Sequence, residues 1–153
     1  LIAREKKERV SRVEEDDFSS VRKFEAKSLK ERLDFWEQEF RRCIRCYACR
    51  QVCPMCYCPR CVADQFSPSW FSKAADSKGN FSWNLTRAIH LAGRCIDCGE
   101  CERVCPVGIP LRDINKKLQK EAKEMFNYEA GVSTEQKPLL AGFDKNDPGE
   151  FIK

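Results

Sequence analysis

The sequence predicts a mostly α-helical fold organised around two cysteine loops, and three observations predict it. Eleven cysteines stand in a 153-residue chain, all of them between Cys43 and Cys105. Eight of the eleven form two copies of one short motif. The segments before, between and after the two copies carry apolar residues at helical spacing, and no strand pattern is visible.

A shift of 52 residues lays "RCIRCYACRQVCP" (42–54) on "RCIDCGECERVCP" (94–106), with eight of thirteen positions identical. Each copy reads C-x2-C-x2-C-x3-C-P, the bacterial iron–sulfur run whose fourth cysteine serves the other cluster in two-cluster proteins. Three cysteines two residues apart let a tight loop wrap three corners of one cubane. The fourth points away to the second cubane, and the proline ends the loop by fixing φ. The spacing therefore predicts two crossed [4Fe–4S] clusters, with iron bound through the same cysteines. Cluster one takes Cys43, Cys46, Cys49 and Cys105; cluster two takes Cys53, Cys95, Cys98 and Cys101. Zinc sites use paired C-x2-C units and four ligands, which a doubled triple with a Cys-Pro does not match. No C-x-x-C is followed by His, which excludes a c-type haem.

The elements follow in order. Residues 1–27 are highly charged with few apolar side chains, an extension expected to order only against another chain. "SLKERLDFWEQEFRR" then carries a capping box at Ser28 and Glu31, with Leu29, Leu33, Trp36 and Phe40 at helical spacing, and delivers the chain to Cys43. Forty-one residues separate Cys53 from Cys95. Their ordered part reads as a helix in "SWNLTRAIHLAG", N-capped by Ser82, striped by Leu85, Ile89 and Ala92, and stopped by Gly93. "IPLRDINKKLQKEAKEMF" opens a further helix at Pro110, with Leu111, Ile114, Leu118 and Met125 on one face. All three stripes are expected to face the core. From Gly131 the chain, with "PLLAGF" in its middle, reads as an extended arm. The predicted organisation is a charged N-terminal extension (1–27), a helical two-cluster domain (28–130) and a C-terminal arm (131–153).

Composition narrows the class. The net charge is +4, and residues 43–110 hold the excess, with eight Lys or Arg against five Asp or Glu. That is not the concentrated basic patch that nucleic acid requires; arginines beside negatively charged thiolate clusters have a simpler use. No apolar run is long enough for a membrane span. The N-terminus, charged from Arg4 onward, does not read as a signal peptide, and Leu1 in place of an initiator Met suggests a trimmed chain. The odd cysteine count, the two-residue spacings and the missing leader oppose a disulfide scaffold and favour metal ligation in a reducing cytosol.

No Gly-rich dinucleotide turn or P-loop is present, one histidine leaves little room for a nucleophile–base pair, and no catalytic residue is assigned. The chemistry that remains is one-electron transfer, with the redox substrates on a larger catalytic subunit. Arg42, Arg45 and Arg50 flank cluster one. Arg94 and Arg103 flank cluster two, offset by the loop acids Asp97, Glu100 and Glu102, so cluster two is expected at the lower potential. Tyr47 and Tyr57 are candidates to pack on the clusters.

Cys56, Cys58 and Cys61 fall outside both motifs, and three readings stay open. They hold a third [4Fe–4S] cluster completed by a non-Cys or partner ligand, or a zinc ion completed from outside, or no metal at all, packing as small hydrophobes. Asp64 and His90 are the in-chain candidates for a completing ligand, and the helix-spaced neighbours of His90 favour a packing role.

The order helix, cluster loop, linking helix, cluster loop, helix over about residues 28–128 resembles the α-helical ferredoxin family. Its members include the second domain of succinate dehydrogenase iron–sulfur subunits and the small subunit of heterodisulfide reductase. The resemblance implies a two-cluster electron conduit inside a larger enzyme. With extra cysteines after the first motif and a terminal arm, the chain also resembles the small iron–sulfur subunit of class II benzoyl-coenzyme A reductase. That likeness implies three cubanes relaying electrons to a tungstopterin subunit that dearomatises the benzoyl ring, in a cytoplasmic hetero-oligomer of anaerobic metabolism. Its ligands carry over onto Cys43, Cys46, Cys49, Cys53, Cys95, Cys98, Cys101 and Cys105, with Cys56, Cys58 and Cys61 for the third cluster. The alternatives are an electron-transfer subunit of a heterodisulfide reductase-like, hydrogenase or formate dehydrogenase complex, a free ferredoxin, and, from another class, a zinc-stabilised binding module.

Overall fold

The computed structural model describes residues 18–72 and 74–142. The expectations for 1–17 and 143–153 lie outside the described residues. Among the described residues the chain forms α1 Ser19–Glu25, α2 Leu29–Arg41, α3 Ala48–Gln51, α4 Ser77–His90, α5 Glu100–Arg103 and α6 Leu111–Phe126, with 3-10 turns at Val62–Asp64 and Leu139–Ala141. No strand occurs among them, as the mostly α reading predicts.

α2 starts where the capping box put it. Ser28 Oγ accepts from the Glu31 N–H, and the Glu31 carboxylate accepts from the Ser28 N–H at 2.8 Å, so two otherwise unpartnered amides are satisfied. α2 packs along α4. At their contact Phe40, 1 % exposed, meets Phe81 edge-on at 5.7 Å and stacks on Trp36 at 5.2 Å. Burying such a side chain contributes about 1.5–3 kcal/mol. The outer turns of α2 depart from expectation. Leu29 and Leu33 are exposed and line an apolar groove of about 480 Å³ with Phe24, Trp36, Leu85 and Ile114. α1 reaches Phe35 and Trp36 through Phe24 at 5.2 and 6.0 Å, and its Val21 and Phe24 line the same groove.

α4 departs further. It begins at Ser77, because Asp76 is the N-cap and accepts from the Gly79 N–H at 2.8 Å; Ser82 lies inside the helix. Leu85 and Ile89 are exposed, and the buried face instead carries Asn80, Trp83, Asn84, Arg87 and Ala88. The cause is the surface opposite. Cysteine loops present carbonyls and sulfurs rather than hydrocarbon, and buried acceptors need donors. Beyond α4, Gly93 at φ +66° turns the chain toward Cys95. A Cβ there would stand 3.1 Å from Leu139, so the described start of the C-terminal segment folds back over the approach to the second loop.

α6 opens directly after Pro110, as expected. Ile109 and Leu111 are buried, whereas Met125 is exposed. The helix stops at Asn127, φ +48°, where the Tyr128 N–H donates to Ala122 O at 3.2 Å. α6 touches α1, α4 and α5. α1 is fastened to it through Glu25, which pairs with Lys117 and, at 3.0 Å, with Lys120.

Candidate iron–sulfur centres

The repeat in sequence is also a repeat in backbone. Arg45 and Asp97, 52 positions apart, have φ +58° and +55°; Tyr47 and Gly99 have +60° and +73°. α3 and α5 begin at the next residue in each copy. Arg50 and Gln51 N–H donate to Tyr47 O as Glu102 and Arg103 N–H donate to Gly99 O. Left-handed residues beside helical turns direct successive N–H groups to one side, the concavity that receives anions and iron–sulfur clusters. A left-handed conformation costs a non-glycine residue about 1–2 kcal/mol, and each such residue here is pinned by its side chain. Arg45 donates to Gly79 O and Ser72 O, both at 2.6 Å. Tyr47 packs edge-on against Trp83 at 5.1 Å. Asp97 accepts two hydrogen bonds from Arg112, both at 2.7 Å.

These loops bring cysteines from both copies together. Cys53 of the first loop lines one cavity with Cys95, Cys98 and Cys101 of the second. Cys43, Cys49 and Cys105 flank one apolar cluster of Phe40, Cys101, Ile109 and Leu111, and Cys46 lies within electrostatic reach of Cys49. Cys53 thus lies beside the second run's triple, and Cys105 lies near cysteines of both runs. In each loop the second cysteine, Cys46 or Cys98, is exposed, with exposed Ile44 or Ile96 two residues before it.

Polar side chains from α4 and α6 hold the loops. Asn80 donates to Cys43 O at 2.7 Å and Gln119 to Cys95 O at 2.8 Å, so the first cysteine of each loop is tethered by an amide from the next long helix. Arg87 donates to Cys49 O at 3.0 Å. Two donors point at sulfur: Ile109 N–H to Cys105 Sγ at 3.4 Å and Asn115 Nδ2 to Cys101 Sγ at 3.8 Å. Asn80, Arg87, Asn115 and Gln119 escaped the sequence reading. Their spacing was the available signal, since residues 80, 84 and 87, like 115 and 119, share one helix face. Burial pushes the Cys49, Cys95 and Cys101 thiols up, Cys95 to about 11, while the Arg87 charge opposes it at Cys49 and Cys101. Cys53 is pulled down to about 6, chiefly by a hydrogen bond from Cys56, whose own thiol is pushed up. A donor set made of thiolates, with N–H groups aimed at their sulfurs, fits iron–sulfur clusters, and ligation replaces the thiol protons.

Comparison with known proteins agrees with that chemistry. Residues 39–109 match the family described as 4Fe-4S dicluster domains. This segment is a 4Fe-4S dicluster domain. It holds two [4Fe–4S] clusters in an α-helical ferredoxin core. The chain is 33 % identical over 128 residues to the F420-dependent formate dehydrogenase subunit beta of Methanocaldococcus jannaschii, covering 78 % of this chain and 32 % of that protein. It is 30 % identical over 110 residues to the F420-dependent formate dehydrogenase 1 subunit beta of Methanococcus maripaludis, covering 72 % of this chain and 28 % of that protein. The chain therefore spans about a third of the length of these relatives.

Around the dicluster domain the charges are more evenly matched than the loop sequences implied. Arg42 pairs with Glu39 and Arg50 with Asp64 at 2.8 Å, while in the second loop Asp97 pairs with Arg112 and Lys116 and Glu100 with Arg103. α6 supplies the cations that offset Asp97, a contribution invisible from the loop alone. Arg94 lies over the exposed Tyr57 ring at 5.2 Å, and Tyr47 packs on Trp83. The three further cysteines have separate surroundings. Cys56 is beside Cys53, Cys58 is exposed, and Cys61 packs near Ala63, Phe71 and Trp83 with the Arg50 guanidinium on its sulfur. Asp64 is engaged by Arg50. His90 is exposed at the end of α4, so the packing role expected for it is corrected.

Proposed function

We propose that this chain is an iron–sulfur electron-transfer subunit that relays single electrons to or from the catalytic subunit of a larger oxidoreductase of the formate dehydrogenase kind. The clusters supply one-electron transfer between neighbouring centres. The observation that carries the reading is the pair of matched loops, each with its second cysteine at the surface and the remaining ligands half-buried or buried. Cys43, Cys46, Cys49 and Cys105 serve one cluster; Cys53, Cys95, Cys98 and Cys101 serve the other. Tight loops hold both sets, Asn80, Gln119 and Arg87 fix their carbonyls, and each exposed edge offers a partner close approach. Residues 28–130 are the working unit of this reading, with α1 packed against it through Phe24 and Glu25, and the charged segment before α1 and the C-terminal arm are read as docking segments.

Similarity to the two formate dehydrogenase beta subunits supports this complex ahead of the benzoyl-coenzyme A alternative, whose tungstopterin partner rests on chain organisation alone. No helix among the described residues is long and apolar enough to cross a membrane, and we read the complex as a cytoplasmic hetero-oligomer. The test is anaerobic purification of the chain with its genomic neighbours, followed by identification of the copurifying subunit and metal analysis. About eight iron and eight sulfide per chain, together with a formate-oxidising subunit, support the proposal. Stoichiometric zinc without sulfide ends it, and a tungstopterin subunit acting on aromatic thioesters redirects it.

A further inference from the structure

The Arg87 side chain is 4 % exposed, yet no carboxylate pairs with it among the described residues. One guanidinium nitrogen donates to Cys49 O at 3.0 Å, and the group lies close enough to the Cys101 sulfur for its charge to act on that thiol. Its Nε has no partner. Arg87 stands in the wall of the cavity formed by Cys53, Cys95, Cys98 and Cys101, while Cys49 belongs to the other triple. The charges that bear on it are those of Cys49 from one set, Cys101 and Cys53 from the other, and Cys56, which belongs to neither. A buried cation without a counter-charge costs several kcal/mol, so something negative must balance it. Four thiolates around a cubane core leave each centre with net negative charge, and this is the balance available.

We infer that Arg87 is the shared counter-ion of both clusters, set between the two cysteine sets so that one positive charge tunes both centres together. The inference rests on the two-cluster reading. Uptake of one electron from a reductant makes a cluster more negative by one unit, with no bond or proton required to change. A fixed cation beside both centres favours the reduced state of each, whereas a loop arginine on one side would favour only its own. The sequence-based expectation counted arginines loop by loop and omitted this one, because it arrives from the linking helix. Arg45, whose Nε is likewise unpartnered, differs in its surroundings: its two terminal nitrogens donate to Gly79 O and Ser72 O, and it lies beside the Tyr47 and Trp83 rings rather than among cysteines. Arg87 is therefore a positioning and tuning group, not a ligand.

The test uses the full chain, reconstituted anaerobically, as parent, Arg87→Lys and Arg87→Gln. Iron and sulfide are measured, and each cluster is titrated with dithionite while low-temperature EPR is recorded. In Arg87→Gln the reduced-to-oxidised ratio at fixed ambient potential is expected to fall about tenfold for both clusters, which is about 59 mV for a one-electron couple. Arg87→Lys, which keeps the charge, is expected to stay near the parent. If Arg87→Gln loses its clusters while Arg87→Lys keeps them, the charge is again the difference, and the inference stands. It is overturned if loaded Arg87→Gln shifts one cluster alone or neither, or if both variants lose iron equally. A parent chain without iron defeats the two-cluster reading itself, a result distinct from failure of the Arg87 inference.

Discussion

The side-chain amide of Asn80 donates to the carbonyl of Cys43 at 2.7 Å, and Asn80 is fully buried. The contact joins the linking helix to the first residue of the first loop across 37 positions of sequence. Asn80→Ala leaves that half-buried carbonyl without its amide partner, a loss of about 1–3 kcal/mol. Asn80→Asp sets a carboxylate against the carbonyl and is expected to be worse. Anaerobic denaturant titration of the loaded proteins should rank them parent, Ala, Asp, and equal stability of parent and Asn80→Ala would remove the tether from the account.

Ligand crossing makes a prediction that runs against position in the chain. Cys105→Ser, although in the second run, should erase the EPR signal of the cluster built on Cys43, Cys46 and Cys49. Cys53→Ser should erase the other. If each substitution instead affects the cluster of its own run, the exchange of fourth ligands is wrong.

Replacing Cys56, Cys58 and Cys61 together by Ser should leave both cluster signals in place, because none of the three belongs to either set. Iron analysis of the same protein reads out the open question of a third centre. A fall of about four iron per chain marks a cubane at this site, while an unchanged count marks free thiols.

Glu25 fastens α1 to α6, and hydrogen bonds from Lys117 and Lys120 hold its carboxyl below the usual carboxylate range. A lowered folded-state value means that this stabilisation is present above the ordinary pKa of an unfolded Glu and is lost as pH falls through the folded one. The hydrogen-exchange protection factor over residues 19–25, which is corrected for the intrinsic pH dependence of amide exchange, should therefore fall on acidification. In Glu25→Gln the protection factor should already be low near neutrality and flat with pH across that window.

Gly93→Ala combines a left-handed backbone with a Cβ 3.1 Å from Leu139. The backbone alone costs about 1–2 kcal/mol, and the contact adds to it. Adding Leu139→Ala should recover the steric part and leave the backbone part. Denaturation midpoints of the two single variants and the double variant measure the split, and full recovery in the double variant would mean that φ does not matter at Gly93.

Much of the fold was legible because its signals are local. The cysteine runs, the Ser28–Glu31 box and the opening at Pro110 each depend on a few adjacent residues, and the structure keeps them. The inner face of α4 was not legible, because the apolar-stripe rule assumes that a helix buries hydrocarbon against hydrocarbon. Here the opposite surface is made of carbonyls and sulfurs, so Asn80 and Arg87 went inward to donate to the first loop, with Asn84 buried beside them and donating to Asn80 O, while Leu85 and Ile89 stayed outside. The same misreading placed the cap at Ser82, next to the presumed stripe, when Asp76 was the residue able to close the first turn. The balancing of Asp97 by Arg112 and Lys116 depends on a helix fifteen or more residues away, which loop-by-loop counting of charge misses.

Cys46 and Cys98 occupy matching surface positions in loops of matching shape, each with an exposed isoleucine nearby. A conductor whose two terminals are alike has no polarity of its own. The sense of the current would then be set by whichever molecules sit at its ends, because the matched loop geometry by itself favours neither direction.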